Sequence, residues 1–211
     1  MTPQTVNAYF NPPLNEIVFP AGILQPPLYL AAGSDAYNYA ATGVTIGHEI
    51  SHGFDDQGSR YDGDGNLRDW WSAEDHRRYK EKTERLIAQY GKYEPVPGLK
   101  VNGALTLGEN IADIAGVEIA YKAYLLSLNG KTAPVVEGYT GDQLFYLGYA
   151  QSWLNKARDE QLMAQVKSNP HAPPVYRVNG VVVHMPTFYD AFDLKPGDPM
   201  YLAPELRVNL W

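Results

Sequence analysis

Near the start of the chain, two short runs mix polar residues with β-branched and aromatic ones. Residues 4–10 and 15–19 carry this pattern, and Asn11-Pro12-Pro13-Leu14 between them has the composition of a turn. The pattern predicts two short strands joined by that turn. The following segment, Pro20 to Pro27, is rich in Pro and Gly and is predicted to be a loop.

Longer segments that begin at capping residues and end at Gly or Asn predict four helices. Their ranges are 34–58, 72–91, 106–129 and 140–168. A last short strand is predicted over residues 178–184, bent at Asn179-Gly180, and frequent prolines after residue 170 predict little further regular structure. Strands followed by helices predict an α+β fold, in a single domain over residues 1–211, rather than alternating βαβ units.

The composition of the chain indicates a globular protein and argues against several classes of function. The chain has 211 residues, 45% hydrophobic and 19% charged, which is typical of a globular protein with a substantial core. A formal net charge of -7 without a basic cluster argues against nucleic acid as a partner. No apolar run is long enough to span a bilayer, and residues 1–5 show no secretory signal.

The chain contains no cysteine, which excludes disulfides, thiolate nucleophiles and cysteine-based zinc sites. It also contains no Asn-x-Ser/Thr sequon. Both observations fit a cytoplasmic or a bacterial extracytoplasmic protein, and the sequence leaves the compartment itself unknown.

The sequence His48-Glu49-Ile50-Ser51-His52 lies inside the first predicted helix. Because a helix turns once per 3.6 residues, His48 and His52 share a face and their imidazoles can bind one metal ion. Glu49 lies about 100° around the helix from His48, so it can contact a water beside the metal rather than the metal itself. The alternative is an amphipathic helix with two ordinary histidines and a solvated glutamate.

A catalytic zinc usually has three protein ligands, so a third His, Glu or Asp is expected on another element. Glu109 is the best candidate, and Asp113, on the same helix face, can accept a hydrogen bond from a ligand histidine. The alternative makes Glu109 the carboxylate of a capping box that begins at Thr106. One carboxylate cannot fully perform both tasks.

The two segments His48-Glu49-Ile50-Ser51-His52-Gly53-Phe54-Asp55-Asp56 and Gly108-Glu109-Asn110-Ile111-Ala112-Asp113 resemble motifs of the neprilysin/endothelin-converting enzyme family of zinc metallopeptidases. The resemblance extends to Val6-Asn7-Ala8-Tyr9, residues 17–27, Asp69-Trp70-Trp71 and the C-terminal Trp211, and so covers nearly the whole chain. It implies a thermolysin-like zincin catalytic domain that holds one Zn²⁺ per chain and hydrolyses small peptides.

The resemblance implies a role for each residue of the metal site. The zinc ligands would be His48, His52 and Glu109, and Glu49 would be the general base. Asp113 would be the carboxylate behind one ligand histidine, and Asp55 the carboxylate behind the other.

For the substrate, the resemblance implies that His171 stabilises the oxyanion and that Arg177 binds a carbonyl and braces the pocket. Asn7 and Ala8 would hold the peptide backbone by strand addition. The pocket for the residue after the scissile bond, which is expected to be apolar, would lie near Ile23, Val44 and Trp153.

Ordinary structural interpretations stay open for these residues. Asn7 could end a strand, His171 could be an exposed loop histidine, and Arg177 could be a surface charge stacked with Tyr176. Asp55 could simply end a helix, and the three apolar pocket residues could be core. His76 and His184 have no supporting context and are assigned no role.

Full-length members of the family carry a long, mostly helical N-terminal lobe that has no counterpart in this chain, and Arg207-Val208-Asn209-Leu210-Trp211 lacks their Cys-Arg-x-Trp pattern. The chain is therefore expected to be a fragment, a minimal form or one of two partner chains, and exposed apolar surface would favour self-association. Two functions stay open: a zinc-dependent endopeptidase, and a zinc-stabilised peptide-binding module or half-enzyme that is inactive without the lobe.

Overall fold

The computed structural model of the protein describes residues 1–210, so Trp211 lies outside the described residues. Strand β1 (Tyr9–Asn11) pairs antiparallel with β2 (Glu16–Val18), and Tyr9 lies opposite Val18. The first strand is shorter than predicted because the residues before it are held by other contacts. Gly22 donates a backbone hydrogen bond to Pro3, and a Cβ at Gly22 would lie 2.6 Å from the carbonyl oxygen of Gln4.

The first predicted helix has three parts: α1 (Asp35–Asn38), a π-helical segment (Tyr39–Gly43) and α2 (Val44–Ser51), followed by a short 3₁₀ turn (His52–Phe54). The predicted cap is confirmed, since the Ser34 hydroxyl accepts a hydrogen bond from the backbone N–H of Tyr37. The helix ends before the predicted residue 58. Its end coincides with Asp55, whose carboxylate accepts the backbone N–H groups of Gln57 and Gly58.

Three long helices follow: α3 (Ala73–Tyr90), α4 (Leu107–Ser127) and α5 (Gly141–Ser152). Ser72 caps α3 through Asp75 and Thr140 caps α5, so both helices begin at the predicted residues. Thr140 also forms a capping box with Gln143. The fourth predicted helix is wrong as one element, because it stops at Ser152. Residues 153–158 are irregular, and α6 (Asp159–Ser168) begins after them.

The strand predicted over residues 178–184 is wrong, and so is the prediction of little regular structure after residue 170. These residues form α7 (Pro174–Val182) and α8 (Pro186–Phe192). Proline starts both helices, because its fixed φ suits the first helical position and its missing N–H is not needed there. The short apolar run that suggested a strand is instead the buried side of a helix, a distinction that periodicity alone cannot make.

Helix α4 is the centre of the core. Its side chains Ile111, Ile114 and Val117 are fully buried, and the other helices pack around them. The surrounding buried residues include Ala40, Val44, Leu86, Phe145, Tyr149 and Val181. Within residues 1–210, no helix combines the length and apolarity needed to cross a membrane.

Candidate metal centre and active site

Two glycines bring α2 and α4 into backbone contact. A Cβ at Gly47 would lie 2.9 Å from the carbonyl oxygen of Gly116, and a Cβ at Gly116 would lie 2.8 Å from the backbone nitrogen of His48. Both distances are too short for a side chain, so only glycine allows this approach. The close crossing places the histidine face of α2 against the first turns of α4.

The two imidazoles of α2 and the carboxylate of Glu109 converge on one point. His48 Nε2 lies 3.0 Å from His52 Nε2 and 3.2 Å from Glu109 Oε2, and His52 Nε2 lies 3.8 Å from Glu109 Oε1. Tetrahedral zinc with bonds of about 2.0–2.1 Å separates its ligand atoms by about 3.3 Å. The donor atoms therefore fit one zinc ion.

The capping-box alternative for Glu109 is wrong. Thr106 makes no side-chain cap at the start of α4. Its hydroxyl instead donates to the carbonyl of Asn102 and accepts a hydrogen bond from Asn110. The carboxylate of Glu109 is turned towards the histidines, because its first-turn position on α4 faces α2.

In each imidazole of the pair, the ring nitrogen that points away from the other histidine is hydrogen-bonded to a carboxylate. His48 Nδ1 lies 2.8 Å from Asp113 Oδ1, and His52 Nδ1 lies 2.7 Å from Asp55 Oδ2. Since an ionised carboxylate can only accept, each Nδ1–H donates and each Nε2 is left to bind a metal.

Glu49 is buried beside the histidines. Suitable ligand atoms of His48, Glu49 and His52 all lie within 4.8 Å of one another. Glu109 is better placed than Glu49 to be a third ligand, because it approaches both Nε2 atoms from a second helix, whereas Glu49 lies about 100° around α2 from His48. Burial raises the pKa of Glu49, against the opposing effect of the histidines.

Arg177 on α7 completes a buried charge network and is not a surface charge. Its Nε and Nη2 lie 2.7 Å from the two carboxylate oxygens of Asp113, and Nη2 lies 3.4 Å from Glu109. Although burial opposes it, the guanidinium and His48 hold the pKa of Asp113 far below its usual value. Burial also lowers the pKa of His48, but hydrogen bonds to Asp113 and Glu109 outweigh this and raise it to about 9 without a bound cation.

Tyr176 does not stack on Arg177. Its ring stacks on Tyr93 with centroids 4.3 Å apart, whereas the Arg177 guanidinium lies 4.1 Å from the ring centroid of Trp153. His171, in the loop before α7, is 44% exposed through its side chain, and its Nε2 lies 3.2 Å from Glu109 Oε2. Burial lowers the pKa of His171, and Asn169 holds its Nδ1 at 2.9 Å.

Every residue to which the resemblance gives a role lines one cavity of about 550 Å³. Asn7 and Ala8 lie just before β1 rather than inside a strand, Asn7 exposed and Ala8 buried. The apolar wall includes Ile23 and Val44, which are both buried, and the half-buried Trp153.

Sequence reasoning missed several residues that build this site. Tyr149 lines the cavity, is 1% exposed, and donates its hydroxyl hydrogen to the carbonyl of Arg177 at 2.7 Å. The glycine pair of the helix crossing, Gly47 and Gly116, was also missed, since its two members lie on different helices. No local signal marks Tyr149, since its partner lies on another helix.

The site combines two imidazoles from one helix, a carboxylate from a crossing helix and a buried glutamate, and this set of groups is typical of mononuclear zinc hydrolases. The sequence profile described as Peptidase family M13 matches residues 7–208. The chain therefore belongs to peptidase family M13, which confirms the resemblance to the neprilysin/endothelin-converting enzyme family.

The chain is 45% identical to mouse (Mus musculus) endothelin-converting enzyme 1 and 42% identical to Neprilysin-11 of Caenorhabditis elegans, and each match spans 100% of this chain. Zinc metalloprotease ZMP1 of Mycobacterium tuberculosis, crystallised with an inhibitor, superposes with a TM-score of 0.98 at 51% identity, covering 100% of this chain and 33% of that one. PEPO from Lactobacillus rhamnosis superposes with a TM-score of 0.87 at 42% identity, covering 98% and 31%. The chain spans 27% and 25% of the lengths of the mouse and nematode proteins.

Proposed function

We propose that this chain is the catalytic domain of a zinc-dependent endopeptidase that acts on small peptides. The domain is thermolysin-like and comprises residues 1–211. The observation that carries the proposal is the convergence of His48, His52 and Glu109, with donor atoms 3.0–3.8 Å apart, inside a cleft that also contains Glu49. Membership of a peptidase family supports the same assignment.

One zinc ion per chain would be held by His48, His52 and Glu109. When bound, zinc supplies Lewis-acid polarisation of the substrate carbonyl and lowers the pKa of a water molecule towards about 7. Asp113 and Asp55 hold the two Nδ1–H groups, so that in each neutral imidazole the lone pair is on Nε2 and aimed at the ion.

Glu49 acts as the general base. Its carboxylate takes a proton from water, the water oxygen forms a bond to the peptide carbon, and the same proton passes to the leaving nitrogen as the C–N bond breaks. The raised pKa of Glu49 suits a group that must accept a proton and then release it. His171 donates to the oxyanion, while Arg177, held by Asp113, binds a substrate carbonyl.

The substrate backbone is held at Asn7 and Ala8, which line the cavity beside β1. The residue after the scissile bond enters the apolar wall formed by Ile23, Val44 and Trp153, and is therefore apolar. Buried Val44 and half-buried Trp153 also pack against the core, so the ordinary structural role and the pocket role are compatible.

The test is Glu49→Gln, which keeps the shape of the side chain and removes the base. We expect stoichiometric zinc by elemental analysis and a loss of peptide cleavage of about 10²–10⁴-fold, measured with a quenched fluorescent peptide library. Glu84→Gln, at an exposed position of α3, is the matched control. Unchanged cleavage by the Glu49 variant would refute the assignment.

The second candidate is a zinc-stabilised peptide-binding module, or a half-enzyme that requires a further lobe or self-association. It is the alternative that the sequence left open, and its motive is the share of its relatives that the chain spans, about a quarter to a third. Membership of a peptidase family supports the first candidate instead. Purified chain that binds zinc and peptides but shows no chelator-sensitive cleavage would favour this candidate over the first.

A further inference from the structure

The glycine immediately before Glu109 lies against two carboxylates. A Cβ at Gly108 would lie 2.7 Å from Asp56 Oδ1 and 3.1 Å from Asp55 Oδ2. The backbone does not need glycine here, because the φ of Gly108 is outside the left-handed region. A side chain at this position is therefore limited by space, because it would have to displace one or both carboxylates, and not by the backbone conformation.

The carboxylate of Asp55 cannot easily move aside. Asp55 Oδ2 holds His52 Nδ1 at 2.7 Å, while Oδ1 accepts the backbone N–H groups of Gln57 at 2.8 Å and Gly58 at 2.7 Å. Asp55 itself is 6% exposed. Any group that displaces this carboxylate breaks its bond to His52 or to the turn that follows.

The position is also electrostatically favourable for carboxylates. Helix α4 begins at Leu107, and Thr106 provides no side-chain cap. Carboxylates near a helix N-terminus are stabilised by its unpaired N–H groups and its dipole. Asp55 and Asp56 therefore pack where the first turn of α4, which carries Glu109, favours negative charge.

We propose that Gly108 is a positioning residue of the zinc site, an inference that rests on the proposed function. Its missing side chain lets Asp55 and Asp56 pack on the first turn of α4. This contact fixes His52, held by Asp55, relative to Glu109, the next residue along α4. The contact thereby keeps the imidazole of His52 and the carboxylate of Glu109 at the separation that one metal ion requires.

The test compares Gly108→Ala with Gly63→Ala, a control glycine that has no atom within 4 Å of the Cβ position and no positive φ. We expect the zinc dissociation constant of the Gly108 variant, measured by chelator competition, to rise about 10–100-fold, the usual effect of disturbing a group behind a metal ligand. Its metal-free melting temperature should change much less than its zinc affinity, because the helix propensity gained with Ala offsets part of the cost of moving the carboxylates. The Gly63 variant should match the unaltered protein in both measurements.

A second readout needs no metal. In ¹⁵N-histidine-labelled protein, the Nδ1–H proton of His52 should shift or broaden in Gly108→Ala, because its bond to Asp55 is disturbed. The double variant Gly108→Ala/Asp56→Ala removes the Asp56 carboxylate, which lies closer to the added Cβ, and should restore part of the zinc affinity. Asp56→Ala alone should change the zinc affinity little.

The outcomes separate the two proposals. If the unaltered protein binds no zinc, the proposed function fails, and the His52 proton still tests the contact. Zinc affinity within about twofold of the unaltered protein, together with an unchanged His52 signal, overturns the role of Gly108. If Gly108→Ala does not fold but the double variant does, the clash with Asp56 is supported; if neither folds, the glycine serves general packing and the proposal is overturned.

Discussion

At the scale of single residues, the site contains a buried charge network centred on Asp113. Asp113, 1% exposed, is shared between His48 on one side and Arg177 on the other. Removing one member of such a network leaves an uncompensated buried charge, which costs far more than an exposed pair contributes. The network therefore couples the orientation of a proposed zinc ligand to the stability of the whole domain.

Arg177→Met should destabilise the metal-free protein by about 3–5 kcal/mol, because it leaves Asp113 buried and without its guanidinium. The measurement is urea unfolding in the presence of a chelator. Arg78→Met, which removes an exposed ion pair with Glu74, is the control and should leave the midpoint near that of the unaltered protein. A loss below about 1 kcal/mol for the Arg177 variant would show that Asp113 does not depend on this partner.

At the scale of secondary structure elements, the accuracy of the sequence predictions depends on how local their signals are. The caps at Ser34, Ser72 and Thr140 are confirmed, because a cap is a bond between near neighbours. The capping box at Thr106, considered as the alternative role of Glu109, is wrong, because tertiary contacts turn Glu109 towards α2.

The metal-binding residues could be selected from motifs, but the geometry that unites them could not. The His48/His52 spacing is a property of one helix, whereas the approach of Glu109 depends on the glycine contact between α2 and α4. The roles of these residues in catalysis stay predictions. The role of Arg177 came from the resemblance alone. Its burial against Asp113 depends on α7, most of which the sequence suggested was a strand over residues 178–184.

Gly116→Ala should separate α2 from α4, because its Cβ would lie 2.8 Å from backbone atoms of His48 and Val44. We expect a loss of stability of about 1–3 kcal/mol despite the better helix propensity of alanine, together with weaker zinc binding. Gly43→Ala is the control, since the nearest atoms would lie at 3.5–3.6 Å. Urea unfolding and zinc titration check both variants, and equal behaviour of the two would contradict the close-crossing explanation.

Helix α7 is held by hydroxyl groups of buried tyrosines from other helices. Tyr149 on α5 donates to the carbonyl of Arg177, and Tyr90 on α3 donates to that of Tyr176. Tyr149→Phe should therefore cost about 1 kcal/mol, measured by urea unfolding, since it removes one buried hydrogen bond. The exposed Tyr139 provides the control variant Tyr139→Phe. Equal stability of the two variants would mean that the Tyr149 hydroxyl contributes nothing.

At the scale of the whole molecule, a buried histidine joins the end of the chain to the core. His184 follows α7, and its Nδ1 accepts the backbone N–H of Val208 at 3.0 Å. Its Nε2–H therefore donates to Gln89 on α3 at 2.8 Å. Val208 and Leu210 are buried, so this junction fixes the C-terminal segment against the helices.

Acid should weaken this junction. Burial, with a smaller contribution from the charge of Arg207, lowers the pKa of His184 to about 4 from its ordinary value near 6.5. Because the unfolded chain takes up the proton first, the stabilisation is complete above pH of about 6.5 and is lost as pH falls towards about 4, by an amount on the order of 3 kcal/mol.

His184→Asn, whose amide oxygen can still accept the N–H of Val208, cannot titrate in this range. Urea unfolding of the metal-free protein from pH 7 down to pH 4 should show a shallower decline for the Asn variant, and hydrogen exchange at Val208 should accelerate with acid only in the unaltered protein. Parallel stability curves for the two proteins would assign the acid sensitivity to other groups.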